Sequence, residues 1–277
     1  MITRRNFLGT AAAAAAAGCT GLAPRTSGAR FALQLYSIHA IFWEKPEWCL
    51  ENLRKAGFEG VEFAGWGERT AKDLRRLLSS AGMVGMGAHV NGDLALTGDA
   101  LKRTLDFCAE AGFESVVTPH AKRDSEAAYR VFGRQMGLAA EAAAGYGIKV
   151  GIHTTYHHFT TRYGERTAWD AIFAEASPLL QQQIDTSNVF NTGTDVVALL
   201  RKYPGRHHSV HLKENVPSKT ARLGERPTDG APCVPWAEVM AQLKTEPVAW
   251  HVIEAEAVPD SLEPAIDSLG FIRPMAG

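Results

Sequence analysis

The stretch AGFEGVEF, residues 56–63, joins the end of a helix-like segment to a short apolar run. Two further stretches repeat this pattern, AGFES at residues 111–115 and GYGI at residues 145–148. In each stretch the first glycine is placed to end a helix at its C′ position, and a following aromatic or aliphatic residue is placed to pack beneath the next strand. The repetition predicts helix-to-strand units that follow one another along the chain.

On either side of these joints, eight short β-branched and apolar runs alternate with helix-like segments. The predicted strands are residues 31–36, 60–63, 84–89, 115–118, 149–153, 182–185, 209–212 and 250–254. The predicted helices include residues 46–56, 71–80, 98–111, 125–146, 194–203 and 235–243. This alternation is typical of parallel strands that are connected by helices.

The strand runs are almost continuously apolar, as expected of parallel strands that are buried on both faces. Eight such units in about 250 residues predict an α/β fold of the (β/α)8 TIM-barrel type. A doubly wound sheet is the alternative, but neither GxGxxG nor GxxxxGK[ST] follows the first strand. No linker-like change of composition interrupts the alternation, so residues 31–277 are expected to form a single domain.

The composition excludes several classes of protein. Of 277 residues, 45% are hydrophobic and 21% are charged, and 29 Lys plus Arg against 30 Asp plus Glu leave a formal charge of −1. A protein that binds nucleic-acid phosphates normally has a basic excess, so no nucleic-acid partner is expected. The high apolar fraction and small net charge argue against disorder. Four cysteines without a CxxC pair argue against a disulfide scaffold or a zinc ribbon.

Residues 1–30 differ from the rest of the chain and are predicted to be a cleavable export signal followed by a tether. Arg4 and Arg5 precede a Phe-Leu pair and an unbroken run of alanines at residues 11–17, which is typical of a twin-arginine signal. The apolar run is too short to span a bilayer, which requires a helix of about 20 apolar residues. We therefore expect a periplasmic or otherwise extracytoplasmic protein. The alternative is an Ala-rich helix that stays on the mature protein.

Cys19 follows Ala-Ala-Gly, which resembles a lipoprotein cleavage box with Cys19 as its cysteine. Here Ala replaces the Leu that usually stands three positions before that cysteine. One interpretation is a lipid anchor at Cys19, which would be the protein's contact with the membrane. The other is cleavage among the alanines, which would release a soluble periplasmic protein. Lipidation would leave Cys49, Cys108 and Cys233, so at least one thiol would stay free or pair between molecules.

Seven of the eight predicted strands end in ionisable side chains. These residues are Glu62, His89, His120, His153, Asp185, His211 with Lys213, and Glu254. In a TIM barrel the carboxyl ends of the strands form the face that carries the active site. Burying so many ionisable groups at one mouth would be costly unless they shared a partner.

A divalent metal ion is the partner that this pattern indicates. The candidate ligands His153, Asp185, His211 and Glu254 come from four successive strands and therefore lie on one arc of the mouth. Two imidazoles and two carboxylates offer mixed nitrogen and oxygen ligands, which suit Mn²⁺ best, with Zn²⁺, Co²⁺, Fe²⁺ or Mg²⁺ as alternatives. A twin-arginine substrate is exported already folded, so such a protein would acquire its metal inside the cell.

Five short motifs in this order resemble the sugar-phosphate isomerase/epimerase superfamily, the xylose-isomerase-like barrels. They are LQLYS at 33–37, GFEGVE at 57–62, ID at 184–185, VHLK at 210–213 and IE at 253–254. The resemblance runs from Leu33 to Glu256 and implies a divalent ion held by residues that include Asp185, His211 and Glu254. It also implies isomerase or epimerase activity.

The chain departs from the family pattern in three strands. Strand five has His153 where many members have Glu, and only this first histidine of the Tyr-His-Asn-His form found in one branch is present. Strand seven has Glu214 in place of the Asp of His-x-Lys-Asp, and strand one continues to His39 where close relatives have Arg. The loss of this anion-binding arginine, together with export, favours a free sugar, keto-sugar or glycoside over a sugar phosphate.

The expected activity is a metal-dependent sugar isomerisation or epimerisation by α-proton abstraction, with stabilisation of an enediolate. With His153 in place of a glutamate, Glu254 would be the sole metal-bound glutamate. Lys213 could add positive charge near the developing oxyanion, and Glu62 and His120 are candidates for acid/base work. A lyase that β-eliminates from 3-keto-glycosides and a non-catalytic sugar-binding lipoprotein remain alternatives. The oligomeric state is left open.

Further side chains around the mouth are expected to bind the carbohydrate. They are Tyr36, Trp66, His89, Tyr156 and His157, of which His89 is also a candidate for acid/base work. For the aromatic side chains among them, packing within the loops is as good an explanation as stacking on a sugar ring. His207 and His208 are expected at the surface. The polar segment 215–232, punctuated by Gly and Pro, is expected to form a lid.

Overall fold

The computed structural model describes residues 28–214, 222–226, 230 and 232–277. Residues 1–27 of the predicted signal and tether, with Cys19, lie outside the described residues, and so does most of the predicted lid at 215–232. Within the described part of the chain, no helix is long and apolar enough to cross a bilayer.

Eight parallel strands close into a barrel, which confirms the predicted fold. The barrel strands are β1 (Phe31–Gln34), β2 (Gly60–Phe63), β3 (Val84–His89), β4 (Ser115–Thr118), β5 (Lys149–His153), β8 (Gln181–Asp185), β9 (Ser209–Leu212) and β10 (Trp250–Ile253). Each pairs with its neighbours in chain order, and β10 pairs with β1 to close the ring. Two short strands, β6 (Arg162–Tyr163) and β7 (Arg166–Thr167), form a separate antiparallel pair.

Helices follow the barrel strands. They are α1 (His39–Phe42), α2 (Pro46–Ala56), α3 (Ala71–Ala81), α4 (Gly92–Ala95), α5 (Gly98–Ala111), α6 (Glu126–Ala144), α7 (His157–Thr160), α8 (Ala168–Phe173), α9 (Thr186–Phe190), α10 (Val196–Lys202), α11 (Trp236–Leu243) and α12 (Glu263–Ala276). The main hydrophobic core is built from apolar residues of both the strands and these helices.

The joints between helices and strands follow the predicted pattern at two of three positions. Gly57 and Gly112 end α2 and α5 in the left-handed region, with φ of 105° and 81°. At the third joint Gly145 keeps a right-handed helical conformation, and Gly147 takes the positive φ of 72°. The helix α6 therefore ends at Ala144 rather than at residue 146, and the left-handed residue of this joint is Gly147, two residues after the glycine predicted to end the helix.

The inner face of the barrel changes from apolar to polar along the strands. Alternate residues of a strand share a face, so Trp250 and Val252 lie on the same side as the site residue Glu254. With Ala32 and Met86, these two residues form a small second core cluster. Gly60 leaves room for the indole of Trp250, because a Cβ there would lie 2.7 Å from the ring. Polar side chains occupy the positions that follow toward the carboxyl ends.

Cys49, Cys108 and Cys233 are all unpaired thiols. Burial raises the pKa of Cys49 to about 11 and that of Cys108 to about 12. These two side chains therefore behave as small apolar core residues rather than as nucleophiles.

Candidate active site

The carboxyl ends of β3, β5, β8, β9 and β10 bring their ionisable side chains into one cluster. Its members form two overlapping groups, one of His89, His153 and His211 and one of Asp185, His211 and Glu254. Within each group the potential ligand atoms all lie within 4.8 Å of one another. The structure thus brings together all four residues that were expected to bind metal, and it adds His89 to them.

Asp185 has the clearest opening for a cation. Its Oδ1 accepts a hydrogen bond of 2.8 Å from the backbone N–H of Asn188 and so caps α9. Its Oδ2 is fully buried and has no hydrogen-bond partner among the described residues. The nearest imidazole nitrogen recorded is Nε2 of His153, at 3.6 Å. A buried carboxylate oxygen without a donor is unfavourable, so this arrangement fits a cation at that point.

His211 lies between two carboxylates. Its Nε2 is 2.6 Å from Oε2 of Glu62, and its Nδ1 is 2.7 Å from Oε2 of Glu254. A carboxylate on one ring nitrogen is the usual way to orient a metal-binding histidine and to keep its other nitrogen available. Glu62 therefore fits the role of an orienting group for His211.

Glu62 lies beneath His211 and is completely buried. Its Oε2 accepts a hydrogen bond of 2.7 Å from the amide of Gln34, and its Oε1 accepts one of 2.7 Å from the amide of Gln183. Its position is therefore deeper in the barrel than the mouth position in which it was expected to act as an acid or base.

Lys213 is held by two carboxylates at the end of β9. Its Nζ donates to Oε1 of Glu254 at 3.0 Å and to Oε1 of Glu256 at 2.7 Å. Burial lowers the pKa of Lys213, but Glu254 and Asp185 outweigh it, and the net effect is a raised pKa. The side chain is therefore a fixed ammonium group that can donate hydrogen bonds and cannot serve as a base near neutral pH.

Interactions within the cluster also set the charge of the histidines. Burial lowers the pKa of His211, but Glu62 and Glu254 outweigh it and raise this pKa to about 10. Burial holds the pKa of His153 well below its usual range and lowers that of His89. Near pH 7 in the metal-free protein, His211 is therefore cationic between its two carboxylates, whereas His89 and His153 are neutral. A metal ion bound to His211 would have to displace one of its ring protons.

The carboxyl groups respond to the same surroundings in different ways. Burial raises the pKa of Asp185 to about 6. Burial also acts to raise the pKa of Glu254, but the hydrogen bond from His211 and the charge of Lys213 bring it well below the usual range. For Glu62, burial is likewise outweighed by the neighbouring histidines, which lower the pKa to about 2. Glu62 and Glu254 are thus ionised at neutral pH.

The remaining residues expected at the mouth lie outside this cluster. His120 and Tyr156 are exposed in the segments that follow β4 and β5, and the ring of Tyr156 meets His157 edge-on at 5.9 Å. His157 is half-buried beside the hydroxyl of Thr155. Tyr36, in the 3-10 turn after β1, is 48% exposed. It is therefore open to contact with a substrate.

Trp66 and His207 illustrate how packing decides a role. Trp66 stacks on Phe107 of α5, with ring centroids 4.4 Å apart, so it packs on the outer helices. His207 was expected at the surface, and that expectation is wrong, because its side chain is buried with Nε2 3.1 Å from the carbonyl oxygen of Leu200.

Several polar residues of the site were not singled out from the sequence. Gln34, Gln183 and Ser209 form the polar layer below the histidines, where Gln183 donates to Glu62 and to the hydroxyl of Ser209. Glu256 shares Lys213 with Glu254. The sequence signal that could have found them is their position, because each of the four lies two residues before or after a residue already assigned to the site, on the inward-facing side in or just after its strand.

The chain is similar to a curated protein and to several proteins of known structure. It is 24% identical to rhizopine catabolism protein MocC of Rhizobium meliloti over 254 residues. The aligned region covers 79% of this chain and 77% of MocC. A sugar phosphate isomerase/epimerase from Parabacteroides distasonis shares the fold with a TM-score of 0.76 and 17% identity, over 92% of this chain and 100% of that chain. IOLI protein, solved with a bound zinc atom, has a TM-score of 0.64 and 12% identity, over 90% of this chain and 99% of that chain.

The sequence model of one family covers most of the chain, from residue 50 to residue 275. That span includes seven of the eight barrel strands and all five residues of the two metal-type groups, together with the orienting carboxylate of Glu62. The chain therefore belongs to the xylose isomerase-like TIM barrel family.

Proposed function

We propose that this protein is a metal-dependent isomerase or epimerase that acts on a keto-sugar or related non-phosphorylated carbohydrate. The observation that carries the proposal is the convergence of Asp185, His211 and Glu254 at the barrel mouth, with one buried oxygen of Asp185 lacking a hydrogen-bond partner among the described residues. Membership of the family and the likeness to a sugar phosphate isomerase/epimerase support the reaction class.

The residues that would hold the cation are His153, Asp185, His211 and Glu254. Their mixed nitrogen and oxygen donors suit Mn²⁺ best, although Zn²⁺, Co²⁺ and Mg²⁺ are also acceptable to such a set. IOLI protein, a barrel of similar fold, was solved with a bound zinc atom, which supports metal binding as a property of this chain. A divalent cation there supplies Lewis-acid polarisation of a carbonyl and its neighbouring hydroxyl.

The chain's own groups provide the proton and charge chemistry. Lys213, held as an ammonium group, can donate a hydrogen bond to a substrate oxygen on which negative charge develops. Glu254 is ionised and His89 is neutral, so both can accept a proton at the mouth. Of the four residues first expected to be catalytic, Glu254 and Lys213 lie at the cluster, Glu62 lies beneath it, and His120 lies exposed in the loop beyond it.

The substrate class is argued from the end of β1. The position at which close family relatives have an arginine is His39, whose Nδ1 donates to the carbonyl oxygen of Tyr36 at 2.7 Å. The ring also stacks on Tyr36, with centroids 4.6 Å apart. The imidazole of His39 offers an aromatic surface but lacks the two parallel N–H donors by which Arg holds phosphate. This difference favours a neutral carbohydrate over a sugar phosphate as the substrate.

Incubation of Mn²⁺-loaded protein with a panel of keto-sugars in heavy water tests the proposal. Epimerisation or isomerisation is expected to place deuterium on carbon in a product with the same carbon skeleton. Release of an aglycone from a 3-keto-glycoside would instead show a lyase that begins with the same α-proton removal. If the protein binds no stoichiometric metal and labels no sugar, the isomerase proposal is wrong and a sugar-binding role is favoured.

We also propose that the protein is exported by the twin-arginine route. The supporting feature is the Arg4-Arg5 pair followed by the alanine run. Replacing both arginines by Lys is expected to retain the protein in the cytoplasm, as measured by cell fractionation. A Cys19→Ser variant separates the two modes of release, because loss of membrane association in that variant would indicate a lipid anchor.

A further inference from the structure

Gln183 lies at the centre of a buried hydrogen-bond network below the candidate metal ligands. Its side chain is 1% exposed, and all of its polar atoms have partners. Its Nε2 lies 2.7 Å from Oε1 of Glu62 and 2.9 Å from Oγ of Ser209. Its Oε1 lies 2.7 Å from Nε2 of His89 and 2.9 Å from Nδ1 of His153. One amide therefore connects an orienting carboxylate to two histidines.

The direction of this amide is determined by Glu62. An ionised carboxylate only accepts hydrogen bonds, so the atom of Gln183 that faces it at 2.7 Å must be the N–H₂ group. The reverse orientation would place two oxygens at that distance and leave a buried carboxylate oxygen without its donor. Gln34 is directed in the same way, since its Oε1 accepts from the backbone N–H of Tyr36 and its Nε2 donates to Glu62.

The orientation of Gln183 then determines where each histidine carries its hydrogen. Because Oε1 of Gln183 only accepts, Nδ1 of His153 and Nε2 of His89 must both be N–H groups. A neutral imidazole has one N–H, so the other nitrogen of each ring has a free lone pair. For His153 that nitrogen is Nε2, which is 3.6 Å from the unpartnered Oδ2 of Asp185. For His89 it is Nδ1, to which no hydrogen bond is recorded among the described residues.

We propose that Gln183 is a positioning residue that selects the tautomers of His153 and His89. It leaves Nε2 of His153 free to bind the cation and Nδ1 of His89 free to accept a hydrogen bond or a proton from a substrate hydroxyl. The metal-binding part of this inference rests on the proposed function, whereas the assignment of tautomers does not. Glu62 acts through Gln183 by fixing the direction of the amide.

The tautomers can be measured directly in the metal-free, full-length protein. Two-bond ¹H–¹⁵N correlation spectra of ¹⁵N-histidine-labelled protein at pH 8 distinguish a protonated from an unprotonated ring nitrogen, and His153→Gln and His89→Gln variants assign the signals. We expect hydrogen on Nδ1 of His153 and on Nε2 of His89. The opposite tautomer at either residue overturns the proposal, whatever the protein's activity.

Glu62→Gln provides a sharper test, because it should invert both tautomers. The oxygen of the new amide would stay on the side of the two donors, Gln34 and His211, and its N–H₂ group would face Gln183. Two donors would then oppose each other, so Gln183 would turn over and donate to the histidines. Hydrogen is expected to move to Nε2 of His153 and to Nδ1 of His89. Unchanged tautomers in a folded Glu62→Gln protein would show that Gln183 is not directed by Glu62.

Metal affinity provides the second readout. Gln183→Met removes the acceptor with little change in shape, and calorimetric titration with Mn²⁺ is expected to show an affinity about 10- to 100-fold lower than wild type. Gln182→Met is the matched control, since its buried amide accepts instead from the indole of Trp169 and its affinity should be unchanged. Wild-type affinity in Gln183→Met contradicts the proposal. If wild-type protein binds no Mn²⁺ but shows the expected tautomers, the proposed function fails while the role of Gln183 stands.

Discussion

Asp185 shows how one residue can serve both the fold and a site. One carboxylate oxygen caps α9 through Asn188, and the other is buried beside His153 with no hydrogen-bond partner recorded among the described residues. The two oxygens therefore have separable roles. The capping role needs an acceptor, which an amide can supply, whereas cation binding needs the charge.

This separation leads to the first prediction. Asp185→Asn keeps the capping oxygen but loses the negative charge, so we expect the affinity for Mn²⁺ to fall by more than about 100-fold. This loss is larger than the decrease of about 10- to 100-fold that is typical when a residue that orients a metal ligand is replaced. The free energy of unfolding should change little. Calorimetric metal titration and urea denaturation measure the two effects.

Asp195→Asn is a suitable control for that experiment. Asp195 also caps a helix, α10, through the backbone N–H of Ala198, and it is exposed. Its replacement should leave metal affinity unchanged. Equal affinities for Asp185→Asn and wild type would remove Asp185 from the ligand set.

At the scale of secondary-structure elements, the glycines that precede the strands differ in what they require. Gly112 ends α5 with φ of 81°, and an added Cβ would meet only ordinary contacts, the nearest at 3.7 Å. Gly145 follows α6 with φ of −65°, and its nearest contact to an added Cβ is also at 3.7 Å. The two positions thus have similar space and opposite backbone conformations.

We therefore predict opposite effects of alanine at these positions. Gly112→Ala forces a side chain into the left-handed region and should destabilise the protein by about 1–2 kcal/mol. Gly145→Ala restricts the unfolded chain without strain and should stabilise it by about 0.4–1 kcal/mol. Chemical denaturation of both variants measures the difference, and equal values would show that backbone conformation does not distinguish them.

Glu214 stabilises the connection between β9 and α11. Its buried carboxylate accepts hydrogen bonds from the backbone N–H of Gly224 at 2.8 Å, from that of Val234 at 3.1 Å, and from the indole of Trp236 at 2.6 Å. The family pattern has Asp here, and the extra methylene of Glu is accommodated within this network. The residue therefore connects Gly224, which lies within the segment 215–232 that was expected to be a lid, to Val234 and Trp236, which follow that segment.

Glu214→Ala should accordingly destabilise the protein by about 3 kcal/mol, because hydrogen bonds to a charged group are lost and buried N–H groups are left without an acceptor. A change in Trp236 fluorescence should accompany the change in urea midpoint. Glu238→Ala, which alters an exposed acid on α11, is the control and should have an effect below about 1 kcal/mol. A similar stability for the two variants would contradict this role for Glu214.

At the scale of the whole molecule, buried histidines couple folding to pH. Burial lowers the pKa of His251 in β10 to about 4 and that of His158 to about 3. The unfolded chain protonates these side chains near their ordinary pKa of about 6.5, whereas the folded protein excludes the proton until the lower pKa is reached. Between pH 6.5 and pH 4 the unfolded state binds more protons, so the free energy of unfolding falls as the pH falls.

His251→Leu is predicted to remove part of this dependence. Its free energy of unfolding should decline less than that of wild type between pH 7 and pH 4, by roughly 3 kcal/mol for a shift of this size. Urea denaturation across the pH range is the measurement, with pH 8 as the reference at which the side chain of His251 is neutral in both the folded and the unfolded wild-type protein. Parallel curves for the two proteins would show that His251 is protonated equally in both states.

The sequence by itself was sufficient to determine the barrel and the residues at its mouth. Repeated joints such as residues 56–63, apolar strand runs and polar strand ends are local patterns, and the topology of a parallel barrel then places every strand end on one face. For this reason Asp185, His211 and Glu254 could be assigned to one cluster before any distance was known. The boundaries of β2, β3, β4, β5 and β9 likewise follow from those local patterns.

Only the tertiary structure decided how the polar side chains are connected. Glu62 and Gln183 are 121 positions apart in the chain, yet their side chains form a hydrogen bond of 2.7 Å inside the barrel. Depth and side-chain direction depend on how the strands stagger and on which donors meet, and neither is encoded in a local pattern. Glu62 is therefore an orienting carboxylate beneath His211, His207 is buried, and Gln183 directs two histidines.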